Sequence, residues 1–398
     1  MEKVDDIYPK QMNTNNASDF LQYALEKRLG FPQEQESDDS GEQSNLVLQL
    51  GSNHPDRLQS CVERATQLYR NDLREINLNC GCPSIESGGA SSYGASLMKQ
   101  TELTAKLVEA VKNGSRAAST ASSDIGISVK CRIAIFDHVD DMVQLDESHY
   151  RYLKEYISAI QNAGANHVIL HARPAILSGL TPVKNRLVPD LNYDFVERIN
   201  AEFGGKMDVT LNGGITSLSQ LSSLHEDSTS VTSHMAGRWC LRRPMDLVGV
   251  EALLLNQDLK LDSLRNYVGK RSENAVQDYI DYAIKMASLP ANRQRYTIGE
   301  LCLPLFLTVE QLGDDYDFDE SVCDESEEIP LLGYEEVESL YDIIRDGVSQ
   351  LEELVGNGKK KNKRNEGDDI NFKRLSSSFK ALVGTKVANK WKRNRAEL

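Results

Sequence analysis

Two apolar runs in the middle of the sequence lead into residues that can bind an anion. The first run ends in Asn212, Gly213 and Gly214, and the second ends in Gly237 and Arg238. Paired glycines let backbone N–H groups approach an anion, and an arginine adds a charge-assisted hydrogen bond. At two consecutive strand ends, these residues indicate the phosphate site that β/α barrels build after strands seven and eight. Two ordinary tight turns are the alternative interpretation.

Three further polar residues close apolar runs. Lys130 lies near the end of one run, and a lysine in an otherwise apolar strand seldom fills a core. At a strand end it can face a ligand, and it suits a flavin, whose N1/O2 edge gains negative charge on reduction. Gln49 at another strand end can hydrogen-bond a flavin ring edge. His171 closes a third run, where a structural and a functional role both remain open.

The elements that must position these residues are six short apolar runs. They are, in chain order, 46–50, 75–79, 127–131, 167–171, 209–212 and 231–236. Nearly continuous apolar runs suit strands that are buried on both faces, and amphipathic stretches separate them. This alternation predicts βαβ units. If the two phosphate motifs follow strands seven and eight, the six runs are strands three to eight of the barrel. We therefore expect an α/β fold, a (β/α)8 barrel of the TIM type that lacks its first strands.

The pattern changes after the last of these runs. The stretches 261–289, 297–312 and 334–355 are typical of helices. We therefore predict three regions: a polar N-terminal segment over 1–45, a barrel domain over 46–257 and a helical domain over 258–398.

Charge is distributed unevenly along this acidic chain, whose formal net charge is −15. Acidic residues concentrate over 314–328, and basic residues concentrate near the C-terminus. A basic tail is a candidate phosphate-binding surface. Charge alone favours the alternative, a solvated tail. The basic residues are Lys359, Lys360, Lys361, Lys363, Arg364, Lys373, Arg374, Lys380, Lys386, Lys390, Lys392, Arg393 and Arg395.

Several classes of protein do not fit the composition. The seven cysteines lack the spacing of zinc ligands, so we expect no metal site. The sequence contains no run of about 18 apolar residues, so we predict no membrane span. A polar start without a secretory signal favours a cytoplasmic protein, although this says nothing about targeting if Met1 is not the natural start. We also expect a monomer.

The segment from Ile76 to Met98 carries the most specific motif. Its parts, Asn79-Cys80-Gly81-Cys82-Pro83 and Tyr93-Gly94-Ala95-Ser96, resemble the signature of tRNA-dihydrouridine synthases. Similar matches are Ser128-Val129-Lys130-Cys131-Arg132, His171-Ala172-Arg173, Lys184-Asn185-Arg186, the two glycine motifs described above and Gly384–Arg393. The resemblance covers roughly 46–250 well and the helical region loosely.

The resemblance implies a flavin barrel followed by a helical RNA-binding domain. The enzyme would use FMN and NADPH to reduce uridine in the D-loop of tRNA to 5,6-dihydrouridine. The implied FMN contacts are Gln49, Lys130, His171, Asn212, Gly213, Gly214, Gly237 and Arg238. The implied substrate contacts are Asn79, Arg173, Lys184 and Arg186.

Two departures from the family pattern change what we expect. Nothing in 1–45 matches the family's opening strand and Ala-Pro-Met loop, so we expect an N-terminally incomplete chain or a decayed paralogue. The family protonates uracil C5 with a cysteine, and the matching catalytic residue here is Ser96. A hydroxyl is far less acidic than a thiol, whose pKa is about 8.5. Tyr93, Ser92 or a water molecule could replace it as the acid.

Two other hypotheses therefore stay open. The first is a catalytically impaired tRNA-binding paralogue, which the serine and the missing opening favour. The second is a flavin-barrel oxidoreductase that acts on a small molecule. The basic end and the Arg173 and Lys184–Arg186 groups argue against the second.

Overall fold

The structure is a computed structural model that describes most of the chain. The described residues are 2–3, 21–26, 29, 46–70, 72–83, 93–117, 125–227, 231, 233–255, 261–290, 294, 296–316, 332 and 334–358. Chain contacts divide the protein into two compact units. One comprises 1–215 and 221–236, and the other comprises 216–220 and 237–398. The domain ranges given above remain predictions.

The first unit is built on parallel β-sheet. Its strands are β1 (Glu2–Lys3), β2 (Leu46–Gly51), β3 (Leu73–Cys80), β4 (Gly126–Arg132), β5 (Ile135–His138), β6 (His167–His171), β7 (Ala175–Ser178), β8 (Asp208–Asn212) and β9 (Ser233–Met235). Its helices are α1 (Pro55–Tyr69), α2 (Thr101–Ala117), α3 (Glu147–Ala163), α4 (Tyr193–Phe203) and α5 (Leu218–Asp227), of which 216–220 are counted with the second unit. Three short 3₁₀ helices lie at Gly94–Lys99, Val139–Asp141 and Lys184–Arg186.

Seven of the strands form one sheet in the order β1-β2-β3-β4-β6-β8-β9. Every neighbouring pair in it is parallel. The main-sheet strands follow one another in sequence order without reversal, which is the connectivity of a β/α barrel rather than of a doubly wound sheet. The predicted α/β fold with a parallel sheet is therefore confirmed, and all six predicted runs are strands of it.

One strand of this sheet departs from the sequence-based count. The two-residue strand β1 pairs with the end of β2, with Glu2 opposite Leu50. We predicted no strand before residue 46, because two residues carry no hydrophobic period that could signal one. The sheet therefore has one strand more than the sequence predicted.

Alternation along each strand gives the sheet an apolar and a polar face. On β4, Val129 and Cys131 are buried on one side, and Ser128 and Arg132 are buried on the other. On β3, the side chains of Glu75, Asn77 and Asn79 share a face because side chains alternate along a strand. The polar side chains of β3 and β4 therefore lie together on one face of the sheet, where Asn77 donates to Ser128.

Local signals in the sequence place the helix ends of the first unit. The Asp146 carboxylate accepts hydrogen bonds from the backbone N–H groups of Ser148 and His149, which caps the start of α3. The same helix ends at Gly164, whose φ of 116° is in the left-handed region. Asn192 caps α4 by accepting from the Phe195 N–H at 3.0 Å.

The second unit is helical. Its helices are α6 (Arg238–Arg242), α7 (Asp246–Leu255), α8 (Leu261–Ala287), α9 (Ile298–Tyr316) and α10 (Tyr334–Gly358), which confirms the three predicted helical stretches. Its core is aliphatic and includes Ile280, Leu301, Val309, Leu340 and Ile344. Within the described part of the chain, no helix has the length and apolar character needed to cross a membrane.

Candidate active site

The predicted flavin contacts of the first unit and the predicted substrate contact Asn79 lie at the carboxyl ends of neighbouring parallel strands. Asn79 on β3 is in register with Lys130 on β4, and His171 on β6 is in register with Asn212 on β8. Gln49 lies near the end of β2. These residues converge because the strands run parallel and in sequence order, which brings their carboxyl ends to one edge of the sheet.

Lys130 and Asn212 are joined directly. The Lys130 ammonium donates to Asn212 Oδ1 at 2.8 Å, and Asn212 Nδ2 donates to the carbonyl oxygen of Met235 at 2.7 Å. Among the described residues, Asn212 Oδ1 is the one hydrogen-bond acceptor of the ammonium, and no carboxylate pairs with it. Burial and, to a lesser extent, the neighbouring Arg132 cation lower the pKa of Lys130 to about 8. The site therefore holds a half-buried cation with spare donor protons.

Gln49 and Asn79 organise the loop that follows β3. Asn79 Nδ2 donates to Gln49 Oε1 at 2.9 Å. Asn79 Oδ1 accepts from the backbone N–H groups of Gly81 and Cys82, both at 3.1 Å. Asn79 was predicted as a substrate contact, and in the structure its amide shapes the turn that starts the signature loop.

The Gly213–Gly214 turn requires both of its glycines. Gly213 has a φ of 111° and Gly214 a φ of 82°, which is the left-handed region that side chains rarely adopt. A Cβ on Gly213 would lie 2.5 Å from the His171 ring, and a Cβ on Gly214 would lie 2.5 Å from the Tyr193 hydroxyl. Tyr193 also donates to the carbonyl oxygen of Gly213 at 3.0 Å. His171 therefore packs against the turn that was predicted to bind phosphate.

Arg132 is a buried arginine that joins three segments of the backbone, and the sequence analysis did not single it out. It is 3% exposed, and its guanidinium donates to three backbone carbonyls in three different loops. Nε reaches Gly81 at 3.1 Å, and Nη1 reaches Pro174 at 3.0 Å and Asn185 at 3.3 Å. Its place two residues after Lys130, on the same face of β4, was the one signal in the sequence.

The predicted substrate contacts Lys184 and Arg186 lie on a short 3₁₀ helix that Asn185 anchors. The buried Asn185 amide accepts from the Ile176 N–H at 2.8 Å and donates to the Ile176 carbonyl at 2.9 Å. Lys184 is exposed and Arg186 is half-buried. The Arg173 guanidinium donates to the Pro189 carbonyl. Asn185 thus fixes the short segment that carries these two cations.

Ser96 lies in the 3₁₀ helix at Gly94–Lys99. It is 6% exposed, and its hydroxyl donates to the Tyr93 carbonyl oxygen at 3.1 Å. The Ala95 N–H donates to the Cys82 carbonyl at 2.9 Å, which ties this helix to the loop after β3. Cys80, at the end of β3, is fully buried, and this burial raises the pKa of its thiol to about 12.

Gly237 and Arg238 belong to the second unit and are described within it. Both are exposed, and Arg238 is the first residue of α6. The next residue, Trp239, is buried, and its indole N–H donates to Asp246 Oδ2 at 2.6 Å. Asp246 also accepts from Gln311 Nε2 at 2.7 Å, so it fixes α6 and α7 to α9.

Some predicted features lie outside the described residues. These are Ser92, the basic residues from Lys359 onward, the Gly384–Arg393 block and most of the acidic stretch.

Comparison with known proteins identifies the family. The dihydrouridine synthase family model matches residues 22–269. The tRNA-dihydrouridine(20/20a) synthase of Shewanella oneidensis is 34% identical over 260 residues, which is 65% of this chain and 68% of the relative. The enzymes of the same name from Xanthomonas campestris and Synechocystis are 37% and 35% identical over 209 and 207 residues.

The chain therefore belongs to the dihydrouridine synthase family. The matches cover 55% of the Xanthomonas relative and 54% of the Synechocystis relative, so the chain spans about half the length of these two proteins.

Proposed function

We propose that this chain reduces uridine in the D-loop of tRNA to 5,6-dihydrouridine, with FMN as bound cofactor and NADPH as reductant. The observation that carries the proposal is the Lys130 ammonium, a half-buried cation at the strand ends with Asn212 Oδ1 as its acceptor at 2.8 Å. Family membership and the names of the relatives support tRNA as the substrate. The proposed enzyme is a cytoplasmic monomer with its barrel over 46–257 and its RNA-binding domain over 258–398.

The residues at the strand ends fit FMN chemically. Lys130 offers positive charge and spare N–H donors to a ring edge that becomes anionic on reduction. The Gly213–Gly214 turn, with both φ angles positive, leaves backbone free of side chains where a phosphate would approach. His171 lies against that turn. Gln49 and Lys130 would thus hold the ring, and Asn212, the glycine turn and His171 would hold the rest of the cofactor. The assignment of Gly237 and Arg238 to FMN rests on the resemblance to the family's motif.

Bound FMN would supply hydride transfer to uracil C6, and the chain itself must then deliver a proton to C5. Ser96 occupies the position that matches the cysteine with which the family protonates uracil C5. Its hydroxyl is a weak acid, and in the structure it donates to the Tyr93 carbonyl. Arg173, Lys184, Arg186 and Asn79 are the proposed contacts to the tRNA.

A catalytically impaired tRNA-binding paralogue is the second candidate. The observation that favours it is the buried Ser96 hydroxyl, whose proton is already engaged by a backbone carbonyl. A small-molecule flavin enzyme would give no reason for the cations at Arg173, Lys184 and Arg186.

One experiment separates these functions. We expect the purified chain to bind added FMN and, with NADPH and an unmodified tRNA transcript, to form dihydrouridine that mass spectrometry of the digested RNA detects. Binding of tRNA and FMN without product would favour the impaired paralogue. A preparation that takes up no added FMN would refute the flavin proposal.

Arg238→Ala should weaken FMN binding. A charged hydrogen bond to a phosphate contributes about 1.5–3 kcal/mol, so we expect a loss of about 10-fold or more in affinity by fluorescence titration. Arg242→Ala is the matched control, because Arg242 is an exposed arginine on the same short helix and was not predicted to touch the cofactor. Equal FMN affinity of the two variants would remove Arg238 from the site.

Removal of residues 373–398 should reduce tRNA binding and leave FMN binding unchanged. The deleted segment carries eight basic residues, and each phosphate contact adds to the salt dependence of binding. We expect a lower tRNA affinity and a flatter plot of log affinity against log salt in filter-binding measurements. A tail that only serves solubility would leave both the affinity and the slope as they are in the full chain.

A further inference from the structure

A continuous line of hydrogen bonds links the loop after β3 to the buried carboxylate of Glu75 on β3. At the loop end, Asn79 Oδ1 faces two backbone N–H groups, which can only donate. Asn79 therefore turns Nδ2 towards Gln49, and Gln49 must present Oε1 to it, at 2.9 Å. The loop thus dictates which end of the Gln49 amide faces Asn79.

The other end of the line dictates the same orientation independently. Glu75 is 9% exposed and accepts a hydrogen bond from the Ser128 hydroxyl. A hydroxyl has one proton, so Ser128 must accept from its other neighbour, Asn77 Nδ2, at 2.6 Å. Asn77 then turns Oδ1 towards Gln49, which donates to it from Nε2 at 2.7 Å.

Glu75 is held as a carboxylate, which makes it an obligate acceptor. His167 Nδ1 lies 2.8 Å from its second oxygen, and His167 Nε2 lies 2.8 Å from Thr210 Oγ1. Burial raises the pKa of Glu75, but the hydrogen bonds from His167 and Ser128 outweigh it, so the pKa is lowered overall. An ionised carboxylate cannot donate, so the direction of the line cannot reverse.

We propose that Glu75 is a positioning residue for the cofactor site. Through Ser128 and Asn77, it locks the side-chain amide of Gln49 in one orientation. The remaining Nε2 proton and Oε1 lone pair of Gln49 would then face the flavin ring edge, which carries N–H and C=O groups, in one fixed orientation. This inference rests on the proposed flavin site and adds Glu75, Ser128 and Asn77 to it.

The first test is a double-mutant cycle on FMN affinity. Glu75→Gln keeps the size of the side chain but lets it donate as well as accept, so the direction of the line is no longer fixed at its Asn77 end and only the loop end still orients the Gln49 amide. We expect FMN affinity to fall by about 3–10-fold in this variant, the value of one neutral hydrogen bond. In a Gln49→Ala background, the same change should alter affinity by less than about twofold, because the amide it positions is gone.

Two further variants distinguish the proposed positioning role from a general loss of structure around Glu75. Ser128→Ala breaks the line between Glu75 and Asn77 and should reproduce the loss, again only while Gln49 is present. Thr210→Val removes the hydrogen bond on the far side of His167 and should leave FMN affinity unchanged. An equal loss in Thr210→Val, or an equal effect of Glu75→Gln with and without Gln49, would overturn the proposal.

A second measurement does not depend on FMN. In protein labelled with ¹⁵N at its side-chain amides, the Gln49 and Asn77 NH₂ protons should exchange slowly with solvent, and Glu75→Gln should speed the exchange of both. Unchanged exchange would overturn the positioning role. If Glu75→Gln speeds the exchange but the wild-type chain binds no FMN, the proposed flavin site is wrong and the hydrogen-bonded line is still supported.

Discussion

Ser96→Cys is expected to raise the rate of tRNA-dependent flavin reoxidation. In the proposed reaction, a proton must reach uracil C5 after hydride transfer to C6, and a well-placed general acid contributes about 10²–10⁴-fold to such a step. A thiol has a pKa near 8.5, whereas a serine hydroxyl gives up its proton far less readily. We therefore expect an increase that approaches this range, measured by stopped-flow absorbance of the flavin after mixing with tRNA.

Two controls show whether the gain comes from proton transfer. FMN and tRNA affinities should be unchanged in Ser96→Cys, because the substitution replaces one small buried side chain by another. Ser96→Ala should be slower than wild type if the serine donates the proton at all. If Ser96→Ala matches wild type and Ser96→Cys brings no gain, another group, such as Tyr93, is the acid.

Arg132→Met is expected to destabilise the first unit strongly. The substitution leaves the carbonyls of Gly81, Pro174 and Asn185 without the guanidinium that now bonds to them. Each charged hydrogen bond contributes about 1.5–3 kcal/mol, so we expect a loss of at least about 3 kcal/mol in the free energy of unfolding. Urea unfolding followed by circular dichroism measures it.

A half-buried arginine provides the comparison. Arg198 donates two hydrogen bonds to the exposed Glu147 carboxylate, at 2.7 and 2.9 Å, and lies 3.6 Å from the centre of the Tyr150 ring. Because this ion pair is exposed and no backbone carbonyl depends on it, Arg198→Met should lower the unfolding midpoint less than Arg132→Met does. Similar midpoints for the two variants would mean that Arg132 is not the structural centre that its three hydrogen bonds indicate. Arg132→Lys should fall between them, since an ammonium cannot span all three carbonyls.

The sequence by itself determined six strands of the main sheet, the long helices and their order. The runs at 46–50, 127–131 and 167–171 are short, apolar and bounded by helical patterns, so local hydrophobic period was enough to identify them as strands of a parallel sheet. The long helices of the second unit followed from the same kind of pattern. The strand Glu2–Lys3 was not predicted, because two residues are too few to show a hydrophobic alternation.

Contacts between distant segments could not be read from local pattern. The long connection after β4 contains β5, which pairs in parallel with β7 some 40 residues further on, with Ile135 opposite Ala175. Each of these strands is four residues long. Neither segment carries a signal strong enough to predict the pairing. Each strand is stabilised by its contacts with the other strand, and its local sequence does not show those contacts.

The candidate site divides in the same way. The sequence placed Gln49, Lys130 and Asn212 at strand ends, and the parallel order of strands alone brought them to one edge of the sheet. Only the tertiary structure decided which groups join them. Glu75 and Ser128 are 53 residues apart in sequence, and they meet because parallel pairing sets β3 beside β4 in a single register. The direction of a hydrogen bond then depends on what both neighbours can donate, and the sequence does not reveal those neighbours until the strands are paired.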